Sequence, residues 1–143
     1  MTDLERARRV FGKTPFTGLV GCEIDDVGEG YARCSLALAP AHMNALGKPM
    51  GGVVFTLADY AFGVASNFDR DVYVSASADI HFTAPARGKR LIAEAREIRS
   101  DDRTCLFDVR VTDELGTLAA LVTIAGVVAG TREKSKKKPA ASE

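Results

Sequence analysis

The stretch MGGVVFTLADYAFGVASN, residues 50–67, organises the rest of the chain. It is apolar on nearly every helical face and carries one acid, Asp59. A helix that is hydrophobic on all sides is normally buried, so the remaining chain must surround this one. A buried carboxylate without a partner is costly, and such groups often have a functional role. Asp59 is therefore the first candidate functional residue.

Small residues share one side of this helix with the acid. Gly52, Thr56, Asp59 and Gly63 follow at helical spacing on one narrow stripe. The two opening glycines, Gly51 and Gly52, would leave the first N–H groups of the helix open to an anion or a developing oxyanion. At about 1.5 Å per residue, Gly52 and Asp59 are roughly 10 Å apart. Two antiparallel copies of the helix could bring them to one carbonyl, so the spacing predicts an active site shared across a homodimer.

Length and composition predict a single domain, which we assign to residues 1–130. The chain has 143 residues, 46% of them hydrophobic, which suits one sizeable core. No apolar stretch would span a membrane and the N-terminus has no apolar leader, so we expect a cytoplasmic protein without a membrane contact. Cys22, Cys34 and Cys105 lack metal-ligand spacing and suit reduced packing positions, so we expect no metal and no disulfide.

The last residues, TREKSKKKPAASE, differ in composition from the rest. They carry five basic and two acidic residues, a net charge of +3 in a chain whose overall net charge is zero. The segment is polar without apolar periodicity, so residues 131–143 are predicted to be a disordered, solubilising tail. A contact with nucleic acid or a membrane is the less favoured interpretation, and we expect neither partner.

Hydrophobic periodicity predicts the remaining elements. A short helix is expected over residues 3–11, ended by Gly12 and Pro15, and a loop over 39–49. Alternating patterns predict strands over 19–27, 31–38, 72–83, 90–99, 104–113 and 117–128. Their connections are too short for parallel crossovers, so the sheet is antiparallel. The prediction is an α+β chain whose antiparallel sheet wraps around the central helix, which is the hotdog fold.

Three short motifs resemble one family. They are Asn44-x-x-Gly47-x-x-Met50-Gly51-Gly52, Leu57-Ala58-Asp59 and Ile80-x-Phe82-x-x-Pro85. The chain over roughly residues 19–128 resembles the acyl-CoA thioesterases of the hotdog superfamily, in the subgroup of the phenylacetate-degradation and hydroxybenzoyl-CoA thioesterases. The resemblance implies hydrolysis of a thioester to a free acid and CoA, without a cofactor.

The resemblance also implies roles for individual residues. Asp59 matches the acid that acts as general base or nucleophile, and Gly52 matches the residue whose N–H polarises the thioester carbonyl. Asn44 matches an amide near the carbonyl or the attacking water. Gly51 and Met50 lie beside the carbonyl site, and the family commonly has His where this chain has Met50. His42 could partly substitute for that group, although a loop position is the favoured interpretation.

Further substrate contacts are predicted outside the helix. A hydroxyl from the following strand often assists in the family, and Ser75 or Ser77 could supply it, since strict alternation puts both on one face. Arg87, Lys89 and Arg90 could meet the phosphates of CoA. Ordinary polar-face serines and a solvated basic turn remain open alternatives for these two groups.

Three functions are compatible with the sequence. An acyl-CoA thioesterase acting on an aryl or medium-chain acyl group, as a homodimer or dimer of dimers, is favoured. The absence of the family His at Met50 motivates the alternative of a hotdog protein that binds acyl-CoA without turnover. A hydratase or dehydratase is least favoured, because no His pairs with an acid on the central helix. The apolar residues of that helix suit an acyl group and core packing equally well.

Overall fold

A computed structural model describes residues 1–131 of the chain. The helices are α1 (Asp3–Phe11), α2 (Pro15–Val20) and α3 (Gly51–Asn67), with a 3₁₀ turn at Pro40–His42. The strands are β1 (Glu23–Gly28), β2 (Tyr31–Ala37), β3 (Val72–Phe82), β4 (Arg90–Ser100), β5 (Thr104–Asp113) and β6 (Leu118–Gly130). The tail predicted over residues 131–143 lies, apart from Thr131, outside the described residues.

The six strands form one antiparallel sheet in the order β1-β2-β4-β5-β6-β3. The helix α3 packs against one face of this sheet, and the core lies between them. The rings of Phe62 on α3 and Phe107 on β5 meet edge to face, with their centroids 5.5 Å apart. The predicted hotdog fold, a curved antiparallel sheet around a long central helix, is confirmed.

The first predicted strand begins too early in the sequence. Residues 19 and 20 end the short helix α2, and the strand β1 begins only at Glu23. Pro15 occupies the first turn of α2, where its missing N–H costs nothing, and Gly21 ends the helix in the left-handed region at φ 96°. These two local signals outweigh the apolar pattern that favoured a strand.

A β-bulge in β3 corrects the prediction for the two serines. Ser75 pairs with Gly126 of β6 and Ser77 pairs with Ala125, so the extra residue of β3 lies between them. Adjacent residues of β6 face opposite sides of the sheet, and the two serines therefore do so as well. A side chain at Gly126 would contact the ring of Phe62, which identifies Ser75 as the serine on the α3 side.

Other predictions concern membranes and cysteines. No helix in residues 1–131 is both long and apolar enough to cross a bilayer. Cys34 and Cys105 are buried, as expected for packing residues, whereas Cys22 is half-buried. Burial raises the pKa of Cys22 to about 11, so this thiol is protonated at neutral pH.

Candidate active site

One side of α3 remains uncovered in the single chain. Leu57, Ala58 and Ala61 are fully buried against the sheet. By contrast, the stripe predicted from helical spacing is less covered, with Gly52 exposed and Asp59 half-buried. The prediction that this helix is buried on all sides is therefore wrong for one chain alone. The uncovered stripe carries the candidate acid.

The carboxylate of Asp59 has no hydrogen bond or ion pair with any residue in the described range 1–131. Burial raises the pKa of this carboxyl above its usual value, because the charged form loses solvation without gaining a partner. An unpaired carboxylate with a raised pKa is a good general base in its ionised form, since it holds a proton more firmly than an exposed Asp.

The start of α3 presents free hydrogen-bond donors. Met50 caps the helix without a side-chain bond, and the N–H groups of Gly51 and Gly52 have no acceptor in residues 1–131. A methyl group built on Gly52 would meet no atom within 4 Å apart from its own stretch of helix, so the space at its Cβ position is open. The hydroxyl of Thr56 donates to the carbonyl oxygen of Gly52 at 2.7 Å and stabilises this first turn.

The loop before α3 is organised by Asn44. Its side-chain oxygen accepts hydrogen bonds from the N–H of Leu46 at 2.9 Å and of Lys48 at 3.1 Å. A backbone bridge between Met43 and Pro49 closes the loop. The side-chain NH₂ of Asn44 has no acceptor within the described part of the chain. The oxygen thus holds the loop while the nitrogen stays available to a ligand.

His42 does not replace the family histidine. The N–H of Ala39 donates to its Nδ1 at 2.9 Å, and its Nε2 lies 2.7 Å from the carbonyl oxygen of Val20. The first nitrogen must therefore accept and the second must donate, which fixes the neutral tautomer and occupies both nitrogens. His42 connects the loop to the end of α2, which is the structural role favoured from the sequence. Met50 itself is 54% exposed at the helix start.

A cavity of about 360 Å³ opens beside the N-terminus of α3. Asn44, Lys48 and Gly51 line its polar side, and most of the remaining wall is apolar. The lining residues not yet named include Val54, Phe82, Ala84, Pro85, Ala86 and Ala119. Two sequence-predicted residues, Asn44 and Gly51, thus meet at one cavity. Asp59 is not part of its wall, because it lies about two helical turns further along α3.

The predicted phosphate-binding residues have different surroundings. Arg90 reaches across the sheet to Ser35 and Glu23, at 2.7 and 2.8 Å, so its side chain is already engaged. Ser35 is buried under this contact. Lys89 is exposed and forms no ion pair in the described residues, while Arg87 contacts only Thr117, at 3.4 Å. Arg87 and Lys89 remain available to an anion.

Sequence reasoning missed the residue that holds this basic turn. Asp113, only 2% exposed, accepts hydrogen bonds from the backbone N–H groups of Arg87, Gly88, Leu115 and Thr117. Burial alone would raise the pKa of Asp113, but these donors outweigh it and hold the pKa well below its usual value. Its position at the end of β5 suggested only an ordinary turn acid.

We predict that Asp113→Asn lowers the free energy of unfolding at pH 7 by about 2–4 kcal/mol, because an amide NH₂ would face N–H donors in a buried position. The pKa of Asp113 is depressed in the folded state, so its contribution is complete above the unfolded pKa of about 4. The contribution declines as pH falls through the folded pKa. Urea unfolding at pH 7 and pH 3 measures this, and the deficit of the variant should shrink at pH 3. Asp102→Asn, on the exposed β4–β5 turn, is the control, and equal stability of both variants at pH 7 would contradict the assignment.

Comparison with known proteins places this geometry in a family. The model of the thioesterase superfamily matches residues 47–134, which is more than half of the chain. The chain belongs to the thioesterase superfamily. The match includes all of α3, and the reaction class is thioester hydrolysis, so the open N–H groups and the unpaired Asp59 lie in the family's own region of the chain.

Individual relatives agree with this membership. A protein of Archaeoglobus fulgidus, described provisionally as an esterase, is 32% identical over 104 residues, covering 72% of this chain and 68% of that protein. The acyl-coenzyme A thioesterase PaaI of Escherichia coli K12 is 27% identical over 103 residues, covering 71% of this chain and 74% of that protein.

Solved structures show the same fold. The structure of the E. coli PaaI protein from the phenylacetic acid degradation operon matches with a TM-score of 0.85 at 22% identity, covering 90% of this chain and 94% of that one. A hypothetical thioesterase of Streptococcus pneumoniae TIGR4, solved with coenzyme A, matches with a TM-score of 0.78 at 22% identity, covering 87% and 98%. The recognition of a PaaI-like hotdog thioesterase from the sequence is therefore confirmed.

Proposed function

We propose that this thioesterase hydrolyses an aryl or medium-chain acyl-CoA to the free acid and CoA, in sites shared between two copies of the chain. The observation that carries the proposal is the stripe of α3, which presents an unpaired carboxylate and unoccupied N–H donors on one uncovered side. The family membership supports the reaction, and the E. coli relative named as an acyl-coenzyme A thioesterase supports the substrate class.

The N-terminus of α3 would bind the thioester carbonyl. The N–H of Gly52 points from the positive end of the helix dipole, where it would stabilise the oxyanion of the tetrahedral intermediate. Asn44, whose NH₂ is unoccupied in the described structure, would contact the carbonyl or the attacking water. Met50 supplies no polar group here, so these donors would act without the family histidine.

Asp59 would supply the base or the nucleophile. As base, it takes a proton from water while the water oxygen bonds to the acyl carbon; collapse of the intermediate then breaks the C–S bond. As nucleophile, it forms a mixed anhydride that water hydrolyses. In both routes the CoA thiolate leaves and is protonated to the thiol. A thiolate is a good leaving group, so a strong general acid is unnecessary.

The geometry of α3 and β3 supports a homodimer. Gly52 and Asp59 lie about 10 Å apart on one helix, too far to act on one carbonyl, whereas an antiparallel second copy would supply the missing group. The outer edge of β3 pairs with no strand of residues 1–131, and most of its eleven residues are exposed. Long open edges readily pair with another strand. Light scattering at micromolar concentration should show a dimer or a dimer of dimers, and a monomer would contradict the shared site.

The basic turn supports recognition of CoA phosphates. Asp113 and Glu114 accept its backbone N–H groups, which leaves the side chains of Arg87 and Lys89 directed to solvent. Arg90 is a weaker candidate because Glu23 and Ser35 already engage it. Ser75, on the α3 side of the sheet, is a better candidate than Ser77 for a hydroxyl that assists at the carbonyl.

Release of free thiol from a panel of aryl- and fatty acyl-CoA thioesters tests the proposal. Turnover of at least one member is expected, with the preferred member naming the acyl group. The sequence left open a protein that binds acyl-CoA without turnover, and membership of the thioesterase superfamily favours the enzyme. Binding of the panel without thiol release would overturn the proposed function in favour of that alternative.

A further inference from the structure

The motif Ile80-x-Phe82-x-x-Pro85 has no place in the mechanism described above, yet it forms part of the cavity wall. Phe82 and Pro85 both line the cavity beside the N-terminus of α3. Phe82 is the last residue of β3 and pairs with Ala120, a buried residue, so its ring lies on the α3 side of the sheet. The motif therefore brings an aromatic ring to the cavity wall that also includes Asn44 and Gly51.

The ring of Phe82 lies directly against Gly51. A methyl group built on Gly51 would be 3.1 Å from Cζ and 3.3 Å from Cε1 of this ring. Contacts that short would require the ring to shift by a few tenths of an ångström, so a side chain at position 51 would disturb the present position of the ring. Gly52, one residue further, has open space in the same test. The first glycine thus provides room for Phe82, whereas the second has open space at its Cβ position.

Core packing does not explain this arrangement. Phe82 is 57% exposed, whereas the aromatic residues of the core are at most 9% exposed, and Phe62 and Phe107 among them at most 2%. One side of the ring contacts the helix start and the other is open to the cavity. The other apolar residues of the wall have smaller side chains; they include Leu46, Val54, Ala84, Ala86 and Ala119. Phe82 is the largest apolar side chain of the cavity wall, and more than half of it is exposed.

We propose that Phe82 sets the upper size of the acyl group that this enzyme accepts, by filling the space over Gly51 next to the proposed oxyanion donors. The proposal rests on the proposed function, because the acyl group follows its carbonyl into the site at the start of α3. The small residues of the wall leave space for an aryl or medium acyl group, and the ring of Phe82 limits longer chains. Gly51 keeps the ring in that position.

The ratio of kcat/KM for dodecanoyl-CoA to that for butanoyl-CoA measures this limit. Phe82→Ala should raise the ratio by about tenfold or more, since each methylene admitted to an apolar pocket changes kcat/KM severalfold. Phe82→Leu should give an intermediate ratio. Because the ring is more than half exposed, neither variant should unfold the protein. Ile98→Ala is the matched control, since Ile98 on β4 is also 57% exposed and lies outside the cavity wall.

Binding of analogues that cannot be hydrolysed distinguishes an error in the role of Phe82 from an error in the proposed function. Thioether analogues with a methylene between the carbonyl and the sulfur cannot be hydrolysed, and their dissociation constants give the same chain-length ratio without turnover. An enzyme inactive on every thioester would overturn the function, while the analogue ratio would still decide the role of Phe82. A ratio that is unchanged in Phe82→Ala, or that changes equally in Ile98→Ala, would overturn the proposal, as would absence of binding by all analogues.

Discussion

Asp59→Asn should reduce kcat for thioester hydrolysis by about 10²–10⁴-fold, the usual contribution of a general base, or more if the carboxylate is the nucleophile. The amide keeps the shape of the side chain but neither takes a proton nor attacks a carbonyl. Dissociation constants of the thioether analogues should change little, because they depend on the helix start and the cavity. Free-thiol release and calorimetric binding measure the two effects separately.

The free energy of unfolding of the Asp59→Asn variant distinguishes a functional role of Asp59 from a structural one. The pKa of Asp59 is raised in the folded state, so its ionised form opposes folding at neutral pH. The Asn variant should therefore be at least as stable as the native chain at pH 7, in contrast to Asp113→Asn. In the native enzyme, kcat/KM should rise with pH through a pKa above the ordinary value for Asp, since the ionised form is the active one.

Asp108→Asn is the matched control for the acid. Asp108 lies on β5, is also half-buried, and has no hydrogen bond or ion pair with residues 1–131. It is paired in the sheet with Arg96 and Thr123, away from α3. Turnover should be normal in this variant. Retention of normal turnover by Asp59→Asn, or equal losses in both variants, would exclude Asp59 from the chemistry.

Gly52→Pro should reduce kcat by about 10²–10³-fold, the effect of removing one oxyanion-hole donor. Proline is tolerated in the first turn of a helix, so the substitution removes the N–H while α3 can still form. Circular dichroism checks that it does, and free-thiol release measures the loss. The N–H that proline removes would stabilise the transition state. The variant should therefore lose more in kcat than in affinity for the thioether analogues.

Gly52→Ala distinguishes a requirement for the N–H of residue 52 from a requirement for empty space at that position. Alanine keeps the donor, and beyond its own stretch of helix its methyl group would meet no atom within 4 Å. The proline variant should therefore lose far more activity than the alanine variant. Equal losses would indicate that position 52 needs space, for instance against a second copy, and would remove the support for its N–H as the oxyanion donor.

The central helix and the sheet could be predicted because their patterns are long and regular. Residues 50–67 are apolar on nearly every face, and residues 72–83 alternate strictly, so both elements were correctly located. The uncovered stripe of α3 could not be predicted from its composition. In the proposed homodimer a second copy would cover this stripe, and the apolar pattern of one chain does not distinguish cover by its own sheet from cover by a partner.

The sequence-based predictions fail where tertiary contacts or single residues determine the local structure. The left-handed Gly21 ends α2, and the bulge in β3 reverses the facing of Ser77 relative to Ser75. Arg90 meets Ser35, 55 residues earlier in the chain, which removes it from the exposed basic group. The four donors around Asp113 come from two turns that meet only in the folded sheet. Local periodicity contains none of this information.

Mixing two inactive variants tests the shared site most directly. Asp59→Asn and Gly52→Pro chains are unfolded together, refolded as a mixture and assayed for thiol release. Each mixed dimer then contains one site with both native groups, so random pairing restores about one quarter of the native activity per chain. Each variant refolded alone should stay inactive. If the mixture also stays inactive while mixed dimers are shown to form, Gly52 and Asp59 do not act together across two chains.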